Sequence, residues 1–216
     1  MATLIAAAVV FAAPGVRAET PPMHHGYYVS LKAGLAVLDK VPMRCPHGVI
    51  DPVLRARLGF GASAAAGYSF ANGFRVEAEA PLRTNAIGSV TAGSASESVS
   101  GSITSVALMA NLLYDINGLR VGRLTPYVGG GVGAAHVTAD GLRANNAVLL
   151  TGASDRFAYQ GIVGVSGDVT RSWSVDLDYR YFATADPKFK TASGDSVSAR
   201  YETQSVMLGG TYHFSQ

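Results

Sequence analysis

The chain has 216 residues, 48% of them hydrophobic and only 15% charged, and its mean hydropathy is +0.21. Lys and Arg number 17 against 15 Asp and Glu, a net charge of +2, too balanced for a nucleic-acid surface. Beyond the first twenty residues no apolar run reaches the roughly eighteen residues of a membrane helix, so if this greasy chain crosses a membrane it does so with strands.

Residues 1–18 read as an export signal. LIAAAVVFAA (4–13) is a short apolar core, and VRA (16–18) is a small-x-small site that places cleavage after Ala18. No Lys or Arg precedes that core, and Pro14 and Gly15 stop a helix where cleavage is expected. Residues 19–26 follow as a short tail, in which His24 and His25 are expected to be solvated. Residues 27–214 form one all-β domain of eight candidate strands, each showing the period of two that sends successive side chains to opposite faces.

The first strand, YYVSLKAGLAV (27–37), sets Tyr27, Val29, Leu31, Ala33 and Leu35 against Ser30, Lys32 and Gly34. The second, 58–70, sets Leu58, Phe60, Ala64 and Tyr68 against small Gly, Ser and Ala. The third, FRVEAEAPLR (74–83), alternates Phe74, Val76, Ala78, Ala80 and Leu82 with Arg75, Glu77, Glu79 and Arg83. Pro81 lacks an N–H for the ladder, so a strand end or bulge is expected there. In the fourth, 105–115, Asn111 and Asp115 oppose an apolar row. The glycine-rich fifth, 125–137, admits either facing, with Val128, Val132 and Ala134 favoured outward. The sixth, 157–169, sets Phe157, Tyr159, Val163 and Val165 against Gln160, Ser166 and Asp168. The seventh, 172–182, alternates Trp173, Val175, Leu177, Tyr179 and Tyr181 with Asp176, Asp178 and Arg180. The eighth, 201–214, sets Val206, Leu208, Tyr212 and Phe214 against Ser205, Thr211 and His213.

Connections 71–73 and 170–171 are tight and 116–124 is intermediate. Those at 38–57, 84–99, 138–156 and 183–200 are long, rich in Pro, Gly, Ser, Asp and Asn, and read as solvated loops. Short turns on one rim and long loops on the other mark a membrane barrel. Tyr27, Phe74, Tyr127 and Trp173 begin odd strands, and Phe70, Tyr114 and Phe214 end even ones, so all belong to the short-turn rim. Phe60, Phe157, Tyr159, Tyr179 and Tyr181 cluster towards the other. Two such belts fit the two lipid–water interfaces, where rings with one wet end are favoured. The fold class is therefore an eight-stranded antiparallel up-and-down transmembrane β-barrel, with residues 19–26 as a periplasmic tail.

The charged face then turns inward, into an interior that side chains of eight strands just fill. Lys32, Arg75, Arg83 and Arg180 are expected to pair there with Glu77, Glu79, Asp176 and Asp178, since an isolated buried charge is costly. The small residues of the second and fifth strands leave those long side chains room. Such a core is a plug. The carboxylate pairs Glu77/Glu79 and Asp176/Asp178 could also be read as catalytic or metal-binding, but cations on the same face make ion pairing the better reading. GGGVG (129–133) lacks the helix of a phosphate cradle. His213 and Ser215 lack an orienting acid, and Cys45 with His47 lacks a third metal ligand. No cofactor, metal or catalytic residue is expected.

In GYYVSLKAGL, FRVEAEAPLR, SVALMANLLYDI, TPYVGGGVGAA, FAYQGIVGVSGDV, DLDYRYF and SVMLGGTYHF, taken in this order, the chain resembles the bacterial outer-membrane barrels of small surface antigens, of OmpA type without the peptidoglycan-binding domain. Ser215 and Gln216 after Phe214, Pro81 within a strand, and Gly167 at a position that is often aromatic depart from that pattern. The resemblance implies a non-enzymatic outer-membrane protein that presents its long loops outside. Its implied partners are membrane lipid and lipopolysaccharide, the barrel-assembly machinery, and a ligand at the loops. Two further readings remain: a narrow channel gated by the lumen salt bridges, and a lipid-modifying barrel enzyme.

Overall fold

The computed structural model describes residues 24–38, 41–44, 53–56, 58–92, 95–98, 100–144, 147–185, 188–191, 196–199 and 201–214, with side-chain surroundings for 24–38, 58–86, 101–138, 153–185 and 201–214. The expected signal at 1–18, Cys45, His47, Ser215 and Gln216 lie outside the described residues.

Eight long strands carry the fold: β1 (Gly26–Leu38), β2 (Leu58–Ser69), β3 (Phe74–Ala92), β4 (Ser100–Asp115), β5 (Leu124–Ala144), β6 (Ala147–Asp168), β7 (Trp173–Thr184) and β8 (Glu202–His213). Each is antiparallel to the next in sequence. β8 returns to pair with β1, from Tyr28↔His213 to Leu38↔Thr203. The sheet thus closes into an eight-stranded up-and-down barrel, and closure removes the unpaired edges an open sheet would present. Among the described residues no helix is long and apolar enough to cross a membrane.

The period-two pattern becomes an inside and an outside. Leu31 is 70% exposed while its neighbour Lys32 is 6% exposed. On β3, Phe74, Val76 and Leu82 face out while Arg75, Glu77, Glu79 and Arg83 are buried. On β5, Val128, Val132 and Ala134 point outward, as favoured. Exposed Leu, Val and aromatic side chains from all eight strands ring the cylinder. A soluble monomer rarely exposes so large a contiguous apolar patch.

The short rim is built by local hydrogen bonds. Between β2 and β3, the Phe70 N–H donates to the Phe74 carbonyl at 2.8 Å, and Gly73 takes φ +89°, a left-handed value that side chains resist. Between β4 and β5 a 3-10 turn spans Asn117–Leu119. Between β6 and β7, Thr170 Oγ1 accepts from the N–H groups of Ser172 and Trp173.

Two expectations need correction. The long connections are not simply loops. β3, β5 and β6 run to 19, 21 and 22 residues, well beyond the roughly ten a tilted membrane strand needs. Four further strands (Val41–Arg44, Val53–Ala56, Lys188–Thr191 and Ser196–Ala199) pair around the same rim, and Ala95–Ser98 pairs with the end of β3. Pairing with a neighbour satisfies the backbone as well as water does, so Gly and Ser content alone does not end a strand. Pro81 is also neither a strand end nor a bulge. It pairs opposite Ser63 in unbroken register. On the β4 side the partners stop at Glu79↔Met109 and resume, unshifted, at Leu82↔Val106. The missing N–H is absorbed as a local gap in one ladder.

Candidate functional site

The barrel interior gathers its charged side chains into a continuous network. Asp178 is its hub. Lys32 Nζ lies 2.7 Å from Asp178 Oδ2, the Tyr127 hydroxyl donates to the same oxygen at 2.9 Å, and Arg180 Nε donates to Oδ1 at 2.7 Å. Asp176 is a more distant partner of Lys32, at 3.8 Å, and accepts from Thr211 Oγ1. Arg180 also pairs with Glu79. The second Glu79 oxygen accepts from Asn111 Nδ2 at 2.7 Å and Gln160 Nε2 at 2.8 Å. Glu79, Asp176, Asp178 and Arg180 are at most 2% exposed. Carboxylates so buried are retained because cations and amide donors surround them.

Room for this network comes from glycines at the level of each large side chain. A Cβ on Gly131 would sit 1.9 Å from Asn111 Oδ1, and one on Gly209 2.5 Å from Lys32 Cγ. Gly164 lies against Tyr127, and Gly67 against Tyr28. The space is thus provided by β6 and β8 as well as by β2 and β5.

The pairing differs from four cations meeting four named anions. Arg75 turns to Asp115, with Nη2 2.8 Å from Oδ1, and lies over the Tyr127 ring at 4.7 Å. Among the described residues Glu77 has no cation within ion-pair distance. It accepts from the Tyr28 hydroxyl at 2.8 Å and more weakly from Asn111 at 3.4 Å. Arg83 likewise meets no carboxylate among the described residues. It stacks 4.1 Å from the Phe182 ring centroid and donates one long bond, 3.3 Å, to Gln160 Oε1.

Tyr127 is corrected from belt to lumen: it is 2% exposed and bound to Lys32 and Asp178. Strand alternation carried that signal, because Val128 outward puts Tyr127 inward. Asp115 and Gln160, both on inward rows, are partners that the alternation does not single out, since no local pattern says which inward groups meet.

On the short-turn rim Tyr27, Phe70, Phe74, Tyr114, Trp173 and Phe214 are exposed. Tyr68 and Tyr212 complete their contacts, with ring centroids 5.0 Å from Tyr27 to Tyr68 and 5.1 Å from Trp173 to Tyr212. Towards the opposite rim Phe60, Phe157 and Tyr159 are exposed. Tyr179 and Tyr181 are half-buried, and the Tyr179 hydroxyl donates to Gln204 at 2.9 Å.

His24 does not lie in a solvated tail. Its ring stacks on His213 at 3.9 Å, its Nε2 lies 3.1 Å from Asp168 Oδ1, and its carbonyl accepts from Ser69 Oγ. Arg120 closes on the other Asp168 oxygen at 2.6 Å. His24 thus ties β2, β6 and β8 together beside a small open recess of about 40 Å³, which Arg75 and Asp115 also line. His213 Nε2 lies 3.1 Å from Ser174 Oγ. His25 is exposed.

Comparison with known proteins agrees with this geometry. Residues 3–214 match the model of the outer membrane protein beta-barrel domain family. An outer membrane protein of Gluconacetobacter diazotrophicus is 31% identical over 164 residues, which is 73% of this chain and 41% of that relative. An uncharacterized protein of Brucella abortus is 42% identical over 81 residues, 34% of this chain and 28% of the relative. The chain therefore spans less than half the length of these curated relatives. Among solved structures, OprG of Pseudomonas aeruginosa is similar over 92% of this chain and 100% of its own, with a TM-score of 0.64 at 16% identity. Neisserial surface protein A covers 88% and 97%, with a TM-score of 0.54 at 19% identity. Likenesses at these identities speak for the fold alone. The chain belongs to the outer-membrane β-barrel protein family and is a protein of the cell outer membrane.

Proposed function

We propose that this barrel is a non-enzymatic envelope protein that displays its paired loop-rim strands outside the cell and contributes to envelope integrity or surface contact. The observation that supports this most is the ion-pair network in the lumen: Lys32, Glu79, Asp178 and Arg180 cross-link β1, β3 and β7 through its middle. In this reading a bundle of buried ion pairs and amides across the middle of the lumen blocks the passage of solutes, and the interior serves rigidity. What remains available to a partner is the loop rim, where β3, β5 and β6 extend past the membrane length. In this reading the short-turn rim faces the periplasm and the two aromatic girdles sit at the headgroups. Lipid and lipopolysaccharide wet the apolar band, and the assembly machinery inserts the chain.

Expression on intact Gram-negative cells tests the display. External protease is expected to cut only in the connections at 38–57, 84–99, 138–156 and 183–200, while unboiled protein keeps the faster gel migration of a folded barrel. Cleavage in the short turns, or equal migration before and after boiling, overturns the reading. Planar bilayers are expected to give flat traces. Steady conductance that Arg180→Met increases would instead favour a channel gated by the salt bridges. Lipid profiles are expected to be unchanged by expression, and a modified lipid would favour the enzyme reading.

A further inference from the structure

Among the described residues Arg83 is a buried cation that the lumen network leaves without a carboxylate. It is 3% exposed, its Nη1 has no hydrogen-bond partner among the described residues, and its guanidinium carbon lies 4.1 Å from the Phe182 ring centroid. Glu79 and Asp178 are engaged by Arg180 and Lys32. Glu77, which has no cation within ion-pair distance among the described residues, is six positions away on the same strand, about 20 Å at ~3.3 Å per residue. Among the described residues no carboxylate therefore lies within ion-pair distance of Arg83, and a buried charge without a close partner is strongly disfavoured.

The wall around it is made of hydroxyls. Ser105 is the register partner of Arg83 on β4 and is fully buried. Tyr201, just before β8, packs edge-on against Phe182 and reaches Ser105. Ser105 Oγ, the Tyr201 hydroxyl, Thr184 Oγ1 and Thr203 Oγ1 are all buried without a full hydrogen bond. Buried polar groups are nearly always satisfied, so a cluster of orphans calls for a particular occupant. Asn85 spends its amide N–H on the Ala36 carbonyl, and its orphan Oδ1 is an acceptor that a wall hydroxyl can serve.

We propose that the loop-side half of the lumen holds a small inorganic anion of the halide class, bound by Arg83 Nη1 and the hydroxyls of Ser105 and Tyr201. The guanidinium packs against Phe182 and its Nη2 is committed to Gln160, so it does not present the two-pronged edge that a carboxylate or phosphate prefers. A monatomic anion needs only a single N–H and hydroxyls that rotate towards it. The site supplies the missing negative charge and completes the lumen's electrostatics.

The test uses the full barrel folded in detergent, melted in sodium chloride, bromide or gluconate at equal ionic strength and followed by far-UV circular dichroism. The melting midpoint is expected to rise saturably with chloride and bromide over gluconate, and Arg83→Gln is expected to lose that rise. Tyr201→Phe, which removes one hydroxyl from the wall, should need about tenfold more chloride for half the effect. Should Arg83→Gln fail to fold, Tyr201→Phe and the anomalous signal of bromide decide, the signal being expected beside Arg83. Identical midpoints in all three salts, the result for a site holding water alone, would overturn the proposal. So would an undiminished halide effect in Arg83→Gln, an unchanged half-point in Tyr201→Phe, or bromide located elsewhere.

Discussion

Replacing Glu79 by Met keeps an unbranched side chain of similar length and removes one of the two carboxylates, with Asp178, that share Arg180. Glu79 is 1% exposed and holds one ion pair and two amide hydrogen bonds. Its loss leaves Arg180 with one anion and leaves the Asn111 and Gln160 donors unanswered. Breaking a buried pair costs about 3–5 kcal/mol, mostly through the partner left behind. For a chain of this size each kcal/mol moves a melting midpoint by roughly 2–4 °C, so a fall of about 6–20 °C is expected. Glu79→Gln can still accept from Arg180 and should lose about half as much, near the ~1.5–3 kcal/mol of one charge-assisted hydrogen bond. The assay is the fraction of fast-migrating barrel after heating, with urea unfolding in lipid vesicles as a second readout. Pairing Glu79→Met with Arg180→Met should recover part of the loss, because two apolar side chains leave no orphan charge. If Glu79→Met costs under about 1 kcal/mol, the carboxylate is solvated like a surface pair. The lumen would then hold water, contrary to the plug.

Further consequences are equally direct. Gly131→Ala places a methyl 1.9 Å from Asn111 Oδ1 and should cost about 1–3 kcal/mol, read by urea unfolding; a neutral result would mean the lumen yields easily. Leu108→Arg, on the outer face at 67% exposure, is expected to cost about 2–4 kcal/mol in bilayers if it sits near the midplane, and no loss there would remove hydrocarbon from the outer face. Trp173 is the chain's single tryptophan, so brominated lipids should quench its fluorescence more from bromines near the headgroup than from mid-chain ones, with the reverse order refuting the girdle. His24→Ala should speed amide exchange at Phe214, whose N–H donates to the Tyr27 carbonyl, while the melting midpoint barely moves; unchanged exchange would mean the stack holds nothing.

The barrel was legible because its signals are local. Period two in FRVEAEAPLR puts four charges on one face and apolar residues on the other wherever the strand ends up, and the same alternation repeated eight times leaves closure as the solution that satisfies every edge. The strand starts at 58 and 74, the turn at Asn72-Gly73 and the outward row of β5 all follow from single stretches of chain. Contacts that cross the barrel do not. Lys32 meets Asp178 across 146 positions, and Arg75 takes Asp115 rather than Glu77, because shear and tilt decide which inward groups share a level. His24 left no pattern to read, since its partners Ser69, Asp168 and His213 are brought beside it only when the cylinder closes. Alternation thus fixed which side chains go inside, while the three-dimensional register chose their partners and left Arg83 without a carboxylate among the described residues. Facing is a property of one strand, whereas pairing is a property of all eight.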